Sequence, residues 1–398
     1  MRRAETIQGH TGVTEYAYDA AGRLTSVTTD ASPTAQYEYD ANGNRLSLST
    51  PAGSLTGAYD AQDRVLQYGS WAFGYTPSGE LHTKTNTATG EVTTYSYDAL
   101  GNLLAVNLAD GRLTEYVVDA AGRRVGKKVD GVLRQGFLYR DDLRPVAELD
   151  GSGNLVSRLV WADGAAPDDA VVRGIRARLG LAAPVLAAGR QPDVASVYLL
   201  KGADVFAIIA DHLGSPRLVL NVATGEVAQR LDYDEFGKVT LDTNPGFQPL
   251  GFAGGLYDSD TGLVRFGARD YDADVGRWMT REPVLSALSG GNAYLYAFAD
   301  PVNLTDPTGL LSPMESWVGC IIAANVGLAA CYASCLIFAC WNEFTCVACL
   351  LACTAFGVAA VKDCGPPPSP PPSPPPGPPP DGNGGPGDGC KPCDDSCG

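Results

Sequence analysis

Three histidines, His10, His82 and His212, are the only imidazoles in the 398-residue chain. No serine or cysteine motif accompanies any of them, so a nucleophile–base pair has no support in the sequence. His212, in D-H-L-G-S, reads as a turn residue. There is no G-x-G-x-x-G, no Walker pattern and no H-E-x-x-H, so no cofactor and no metal are expected. The carboxylate Asp306 opens D-P-T-G-L (306–310), and Asp at i, Pro at i+1 and Gly at i+3 fit a type I turn. Eleven cysteines all fall at or after Cys320. Cys331/Cys335 and Cys349/Cys353 are four apart and Cys346/Cys349 three apart, which places sulfurs on shared helix faces. Cys390, Cys393 and Cys397 form a C-x-x-C with a third thiol but lack a local fourth ligand for tetrahedral zinc. A disulfide knot is the expected reading there, with one thiol of the odd total left free or paired between chains.

These residues hang on a repeat. The stretches YAYDAAGRLTSV (16–27), YEYDANGNRLSL (37–48), GAYDAQDRVLQY (57–68), FGYTPSGELHTK (73–84), YSYDALGNLLAV (95–106) and YVVDAAGRRVGK (116–127) align, and looser copies follow at 137–149 and 159–164. The aligned positions are Tyr18, Tyr39, Tyr59, Tyr75, Tyr97, Val118, Tyr139 and Trp161, mostly 20 to 22 residues apart. A period of that size marks a stacked repeat. Y-x-Y puts both rings on one face of a strand. D-A-x-G supplies a turn, because Asp bonds its own downstream backbone and Gly accepts positive φ. A second alternating strand follows, so each unit is a hairpin. A single hairpin is marginal, and stacking many buries a continuous face.

Glycine (47) and tyrosine (18) are abundant and charge is sparse, which favours strands and turns. The net charge of −16 argues against a nucleic-acid partner, since phosphate affinity comes from lysine and arginine. The start, MRRAETIQGHTG, has no apolar h-region and is not a secretory signal. Export by another route, or an upstream segment of a longer chain, is therefore expected. Residues 166–197 are Ala/Pro-rich, with Val171, Val172, Ile175, Leu179 and Leu181 spaced for a short amphipathic helix.

After Leu310 the composition changes. Residues 317–341 and 346–361 are uncharged apolar runs interrupted by NEFT, and the first is long enough to span a bilayer. They read as a helical hairpin, either a disulfide-stapled scaffold or a reduced, membrane-buried one. Residues 365–389 form a polyproline spacer running into a glycine-rich stretch.

The repeats resemble the YD repeats of the RHS (rearrangement hot spot) family. Residues 198–310 resemble the family's RHS-repeat-associated core, through D-H-L-G-S-P-R, Y-D-E-F-G, A-R-D-Y-D…G-R-W, N-x-Y-x-Y and the closing D-P-x-G-L. The resemblance implies a spiralling β-shell around a C-terminal cargo. It also implies that the core cuts its own chain at or just after D-P-x-G-L, using carboxylates in an aspartic-protease-like arrangement helped by an arginine. Carried over by motif, Arg269 and Asp272 lie in R-x-Y-D, Arg277 in G-R-W and Asp306 in D-P-x-G-L, with Gly309 and Leu310 at the cut. Glu282 stands where the family has Asp, which lengthens that arm by one methylene.

The expected fold is mainly β. A hairpin array (1–165) leads through the insertion (166–197) to the core (198–310), and an apolar Cys-rich helical hairpin (311–364) and a disordered Pro/Gly-rich end (365–398) follow. The expected function is the C-terminal part of a secreted or surface shell that carries, and releases by self-cleavage, an effector-like tail. The alternative is an uncleaved adhesive surface protein anchored by its apolar segment. Expected partners are an upstream shell segment, a secretion machinery or an immunity protein, with membrane contact through the hairpin.

Overall fold

The computed structural model describes residues 2–7, 10–162, 196–282 and 291–310. Twenty-one strands, from Arg2–Ile7 to Val239–Asp242, form one antiparallel sheet in which each strand pairs with the next. The array does not stop at residue 165. Leu155–Ala162 pairs with Ser196–Lys201, and the sheet then runs on to Asp242. A second sheet holds four short strands: Leu256–Asp258, Leu263–Phe266, Arg269–Asp272 and Arg277–Trp278.

Most turns of the YD type are closed by their own aspartate, while in the copy at 73–84 the Thr76 hydroxyl takes that place and accepts the Glu80 N–H. Asp19 Oδ1 accepts the backbone N–H of Ala21 and of Arg23, and Gly22 turns the corner at φ +81°. Asp40, Asp60, Asp98 and Asp119 repeat the pattern. In the looser copy at 137–149 Arg140 occupies the aspartate position, and Asp141 caps Leu143 and Arg144 instead. The remaining aspartate oxygen is also used. Arg23, Asn44, Arg64, Asn102, Arg123 and Asn154 each donate a side-chain N–H to the Oδ2 of the aspartate four residues before.

A further regularity is absent from the sequence reading. In nine hairpins whose turns share one edge of the sheet the register slips at the residue just before the turn, for example Ala17↔Ser26 followed by Tyr18↔Leu24, and four hairpins of the other edge also slip. Each slip is a β-bulge, which bends the strand and increases its twist. Repeated at one place in successive hairpins, the bulges curl the sheet in one sense. The Y-x-Y rings fall on the inner face. Tyr37 is buried with Leu24, Val27 and Phe236, and Tyr16, Tyr18 and Tyr39 pack on the same cluster.

The small sheet lies against this inner face and against the row of YD turns. Arg277 donates to Asn44 Oδ1 (2.9 Å) and to the Asp63 carbonyl (2.6 Å), bridging two neighbouring turns. Arg265 does the same with Asn102 Oδ1 (2.9 Å) and the Gly122 carbonyl (3.0 Å). Arg124 pairs with Asp270 at 2.7 Å and Lys127 with Asp258, all four buried. The other face of the small sheet carries an aromatic nucleus of Phe252, Phe266, Tyr271, Trp278 and Tyr296, with Tyr271 and Tyr296 centroids 4.6 Å apart. Such ring pairs add about 0.5–1.5 kcal/mol each beyond the area they bury.

The expected insertion helix within 166–197, the apolar hairpin (311–364) and the C-terminal stretch (365–398) lie outside the described residues. So do Cys331, Cys335, Cys349, Cys353, Cys390, Cys393 and Cys397.

Candidate functional site

Arg269 begins its strand immediately after Gly267-Ala268, where the chain meets the D-P-T-G-L turn. The Ala268 N–H donates to the Thr308 carbonyl at 2.9 Å. Gly267 and Gly309 both have positive φ, +42° and +64°. A Cβ on Gly267 would lie 2.2 Å from the Thr308 carbonyl oxygen, and one on Gly309 would lie 2.3 Å from that of Phe266. Two glycines thus let the backbones touch, and the contact brings the terminal turn under the arginine.

The turn is built as its sequence suggests. Asp306 Oδ1 accepts the Gly309 N–H and the Thr308 hydroxyl, both at 2.9 Å. Its other oxygen, Oδ2, faces Arg269 Nη2 at 3.3 Å. The same Nη2 contacts Glu282 Oε2, and Arg269 Nε donates to the Gly309 carbonyl. The Glu282 N–H donates to the Ala293 carbonyl at 3.0 Å, which ties the chain after the last strand to the N-x-Y-x-Y segment. Arg269, Glu282 and Asp306 are all buried. The guanidinium lies over the Trp278 ring, 4.1 Å from its centroid. A planar fork can hold two carboxylates and a carbonyl at once while stacking on an indole, which a lysine cannot do.

Asp272 is not brought to this cluster. It is three residues along the strand from Arg269, so period two turns it to the opposite face. There it pairs with Lys84 at 2.8 Å. The expectation that Asp272 joins Arg269 and Asp306 is corrected on that ground. Arg277, also carried by motif, belongs to the turn-bridging set and not to the site. His212 Nε2 donates to the Val302 carbonyl at 2.7 Å, as a turn histidine would.

The arrangement can do three things chemically. A buried guanidinium contacts two carboxylates and offsets the repulsion between their charges. The same guanidinium already contacts a carbonyl oxygen, where it could stabilise developing negative charge. The carboxylates supply a base. The nearby Tyr296 hydroxyl is held well above the usual phenol range, first by burial and then by the charge of Asp306, so it stays neutral. Among the described residues no three side chains converge as a metal site. Sequence reasoning missed Trp278 as the floor of the site, and only its place in G-R-W hinted at it.

Comparison with known proteins shows the family. A family model described as the teneurin YD-shell matches residues 2–161 and 197–302. Double-stranded DNA deaminase toxin A of Burkholderia cenocepacia is 33% identical over 325 residues, covering 77% of this chain and 21% of that protein. Mouse teneurin-4 is 31% identical over 317 residues, covering 76% of this chain and 10% of that protein. Toxin protein Tse5 of Pseudomonas aeruginosa is 32% identical over 244 residues, covering 57% and 18%. The chain therefore spans about a fifth or less of the length of these relatives.

Proposed function

The chain belongs to the RHS/YD-repeat family, whose YD-shell model spans its strands, and on that premise we propose that it is a toxin-type shell segment whose core severs its own chain at the D-P-T-G-L turn. The observation that carries this reading is Arg269, which contacts Glu282, Asp306 and the Gly309 carbonyl together.

The residues divide the work as follows. Glu282 takes a proton from a water that attacks the Gly309 carbonyl carbon. The oxyanion forms on the oxygen that Arg269 Nε already contacts. Collapse breaks the bond to the Leu310 nitrogen, which leaves as an amine with the proton returned by Glu282. Asp306 holds the turn through Gly309 and Thr308 and anchors Arg269. The cut detaches everything after Gly309, including the Cys-rich tail, as the carried effector. A secreted or surface setting, an upstream shell segment and an immunity protein belong to the same reading.

The test is the intact mass of the purified full chain over time. A break between Gly309 and Leu310, lost in Asp306→Asn and in Glu282→Gln, supports the proposal. An intact wild-type chain that pellets with membranes at high salt favours the uncleaved surface protein held by residues 317–361.

A further inference from the structure

The internal comparison of the turns singles out two of them. Six turn aspartates have both carboxylate oxygens engaged, Oδ1 by backbone and Oδ2 by the Arg or Asn four residues on. Asp211 and Asp234 use Oδ1 in the same way, on Leu213 and Ser215 and on Phe236 and Lys238. Their fourth residues are Ser215 and Lys238, and both are committed elsewhere. The Ser215 hydroxyl accepts the Ala253 N–H, and Lys238 pairs with Asp274. The second oxygen of each aspartate has no side-chain partner among the described residues.

These two turns, and no other YD turn, line a cleft of about 410 Å³ between the first hairpin, the Asp211 turn and Val302. Glu235 lines it too, with one oxygen taken by the Tyr37 hydroxyl at 2.8 Å. The wall includes Tyr16, Tyr233 and Phe252. The Tyr233 hydroxyl is buried and meets no hydrogen-bond partner among the described residues. A buried polar group of this kind costs stability unless something pairs with it. Arg217 also lines the cleft but is held by Asp232 at 2.8 Å and by the Leu231 carbonyl at 3.1 Å.

We propose that this cleft binds a guanidinium group, with the spare oxygens of Asp211 and Asp234 accepting its N–H donors and the aromatic wall taking its face. The acceptors sit on two separate turns, which suits a planar fork with several donors better than a compact ammonium. Aromatic rings attract such a cation over their faces. No three ligating side chains converge here among the described residues, so a metal ion is a poorer fit. Burial, and then the charge of Glu235, raise the Asp234 carboxyl to about 7, a strain that an incoming cation relieves.

The guanidinium could belong to a small molecule or to an arginine side chain of a polypeptide. The experiment titrates arginine amide into the full 398-residue chain by calorimetry, with citrulline amide as the neutral isostere and a heptapeptide with one central arginine as a third probe. Arginine amide is expected to bind at least about tenfold more tightly than citrulline amide. Asp234→Asn keeps the turn-capping Oδ1, and Tyr233→Phe keeps the ring. Each is expected to weaken binding severalfold, with the thermal melt confirming that the variant is folded. Binding of the peptide at least as tight as the amide assigns the site to a polypeptide arginine. Exclusion of the peptide while the amide binds assigns it to a small molecule. Equal binding of citrulline amide, unchanged affinity in both variants, or no binding of arginine amide or peptide by about 10 mM overturns the proposal.

Discussion

Asp272 and Lys84 meet at 2.8 Å across the junction of the two sheets, 188 residues apart in the chain. Both are nearly excluded from solvent, and Asp274 adds a second, longer contact at 3.4 Å. Burial works against the Lys84 charge, but Asp272, Tyr95 and Asp274 together outweigh it and hold the ammonium above its usual range. The pair joins the sheets and stands apart from the Arg269–Glu282–Asp306 cluster.

Asp272→Asn is therefore expected to cost stability and to spare cleavage. Removing one partner of a buried pair costs up to about 3–5 kcal/mol, and Asp274, already 3.4 Å from Lys84, offsets part of that loss. Chemical denaturation with a cleavage time course on the same sample checks this. A cleavage-dead but fully stable Asp272→Asn would return Asp272 to the site.

Glu282 separates from Asp306 by a different substitution. Glu282→Asp keeps the charge but draws it back from Arg269 by one methylene, and a displacement of about 1 Å can cost on the order of 100-fold in rate. Slower cleavage with an unchanged melting temperature is the expected result. A rate equal to or above wild type would mean that this backbone does not require the longer arm.

Gly309→Ala probes the close approach of the two backbones. The residue has φ +64°, and an added Cβ would meet the Phe266 carbonyl oxygen at 2.3 Å. The left-handed conformation alone costs roughly 1–2 kcal/mol for a residue with a side chain. The turn must shift, and the Gly309 carbonyl leaves Arg269. Loss of cleavage is expected with only a modest fall in melting temperature, because the aromatic nucleus is untouched. Normal cleavage in Gly309→Ala would show that the carbonyl contact is dispensable.

The turn aspartates predict the acid limit of the fold. Burial pushes the Asp60 carboxyl up, but the Arg64 guanidinium and the N–H groups of Arg64 and Gln62 outweigh it and hold the carboxyl below its ordinary value. Asp98 and Asp119 are lowered in the same way, against burial, by Asn102 and Arg123. A lowered pKa means that the unfolded chain binds the proton more readily. The contribution is thus fully present above the unfolded value of about 3.9 and is lost as pH falls through the lower folded value. Melting temperature is expected to drop below about pH 4. Asp60→Asn should flatten part of that drop, and an unaltered pH profile in this variant would refute the assignment.

The sequence made the hairpins legible because Asp and Gly at fixed offsets have one economical backbone solution, which Asp19 and Gly22 adopt. It also pointed to Asp306, whose turn was readable from Asp, Pro and Gly alone. It could not separate Asp270 and Asp272 from Arg269. Three charged residues within four positions look like one cluster until the strand's alternation sends them to opposite faces. Nor could it show that Arg265 and Arg277 span neighbouring turns, since those contacts join residues 143 to 233 positions apart. The empty places at Asp211 and Asp234 were visible as Ser215 and Lys238, but they gained meaning only beside six turns in which Arg or Asn fills the position.

The nine bulges make curvature a local property of this chain. Each hairpin contributes its own increment of bend, so the arc grows with the number of units and needs no contact between first and last to hold its shape. Adding or deleting one whole unit would lengthen or shorten the wall while leaving its radius unchanged. What fixes the extent of the wall is therefore a count, and a longer or shorter wall needs no redesign of a single turn.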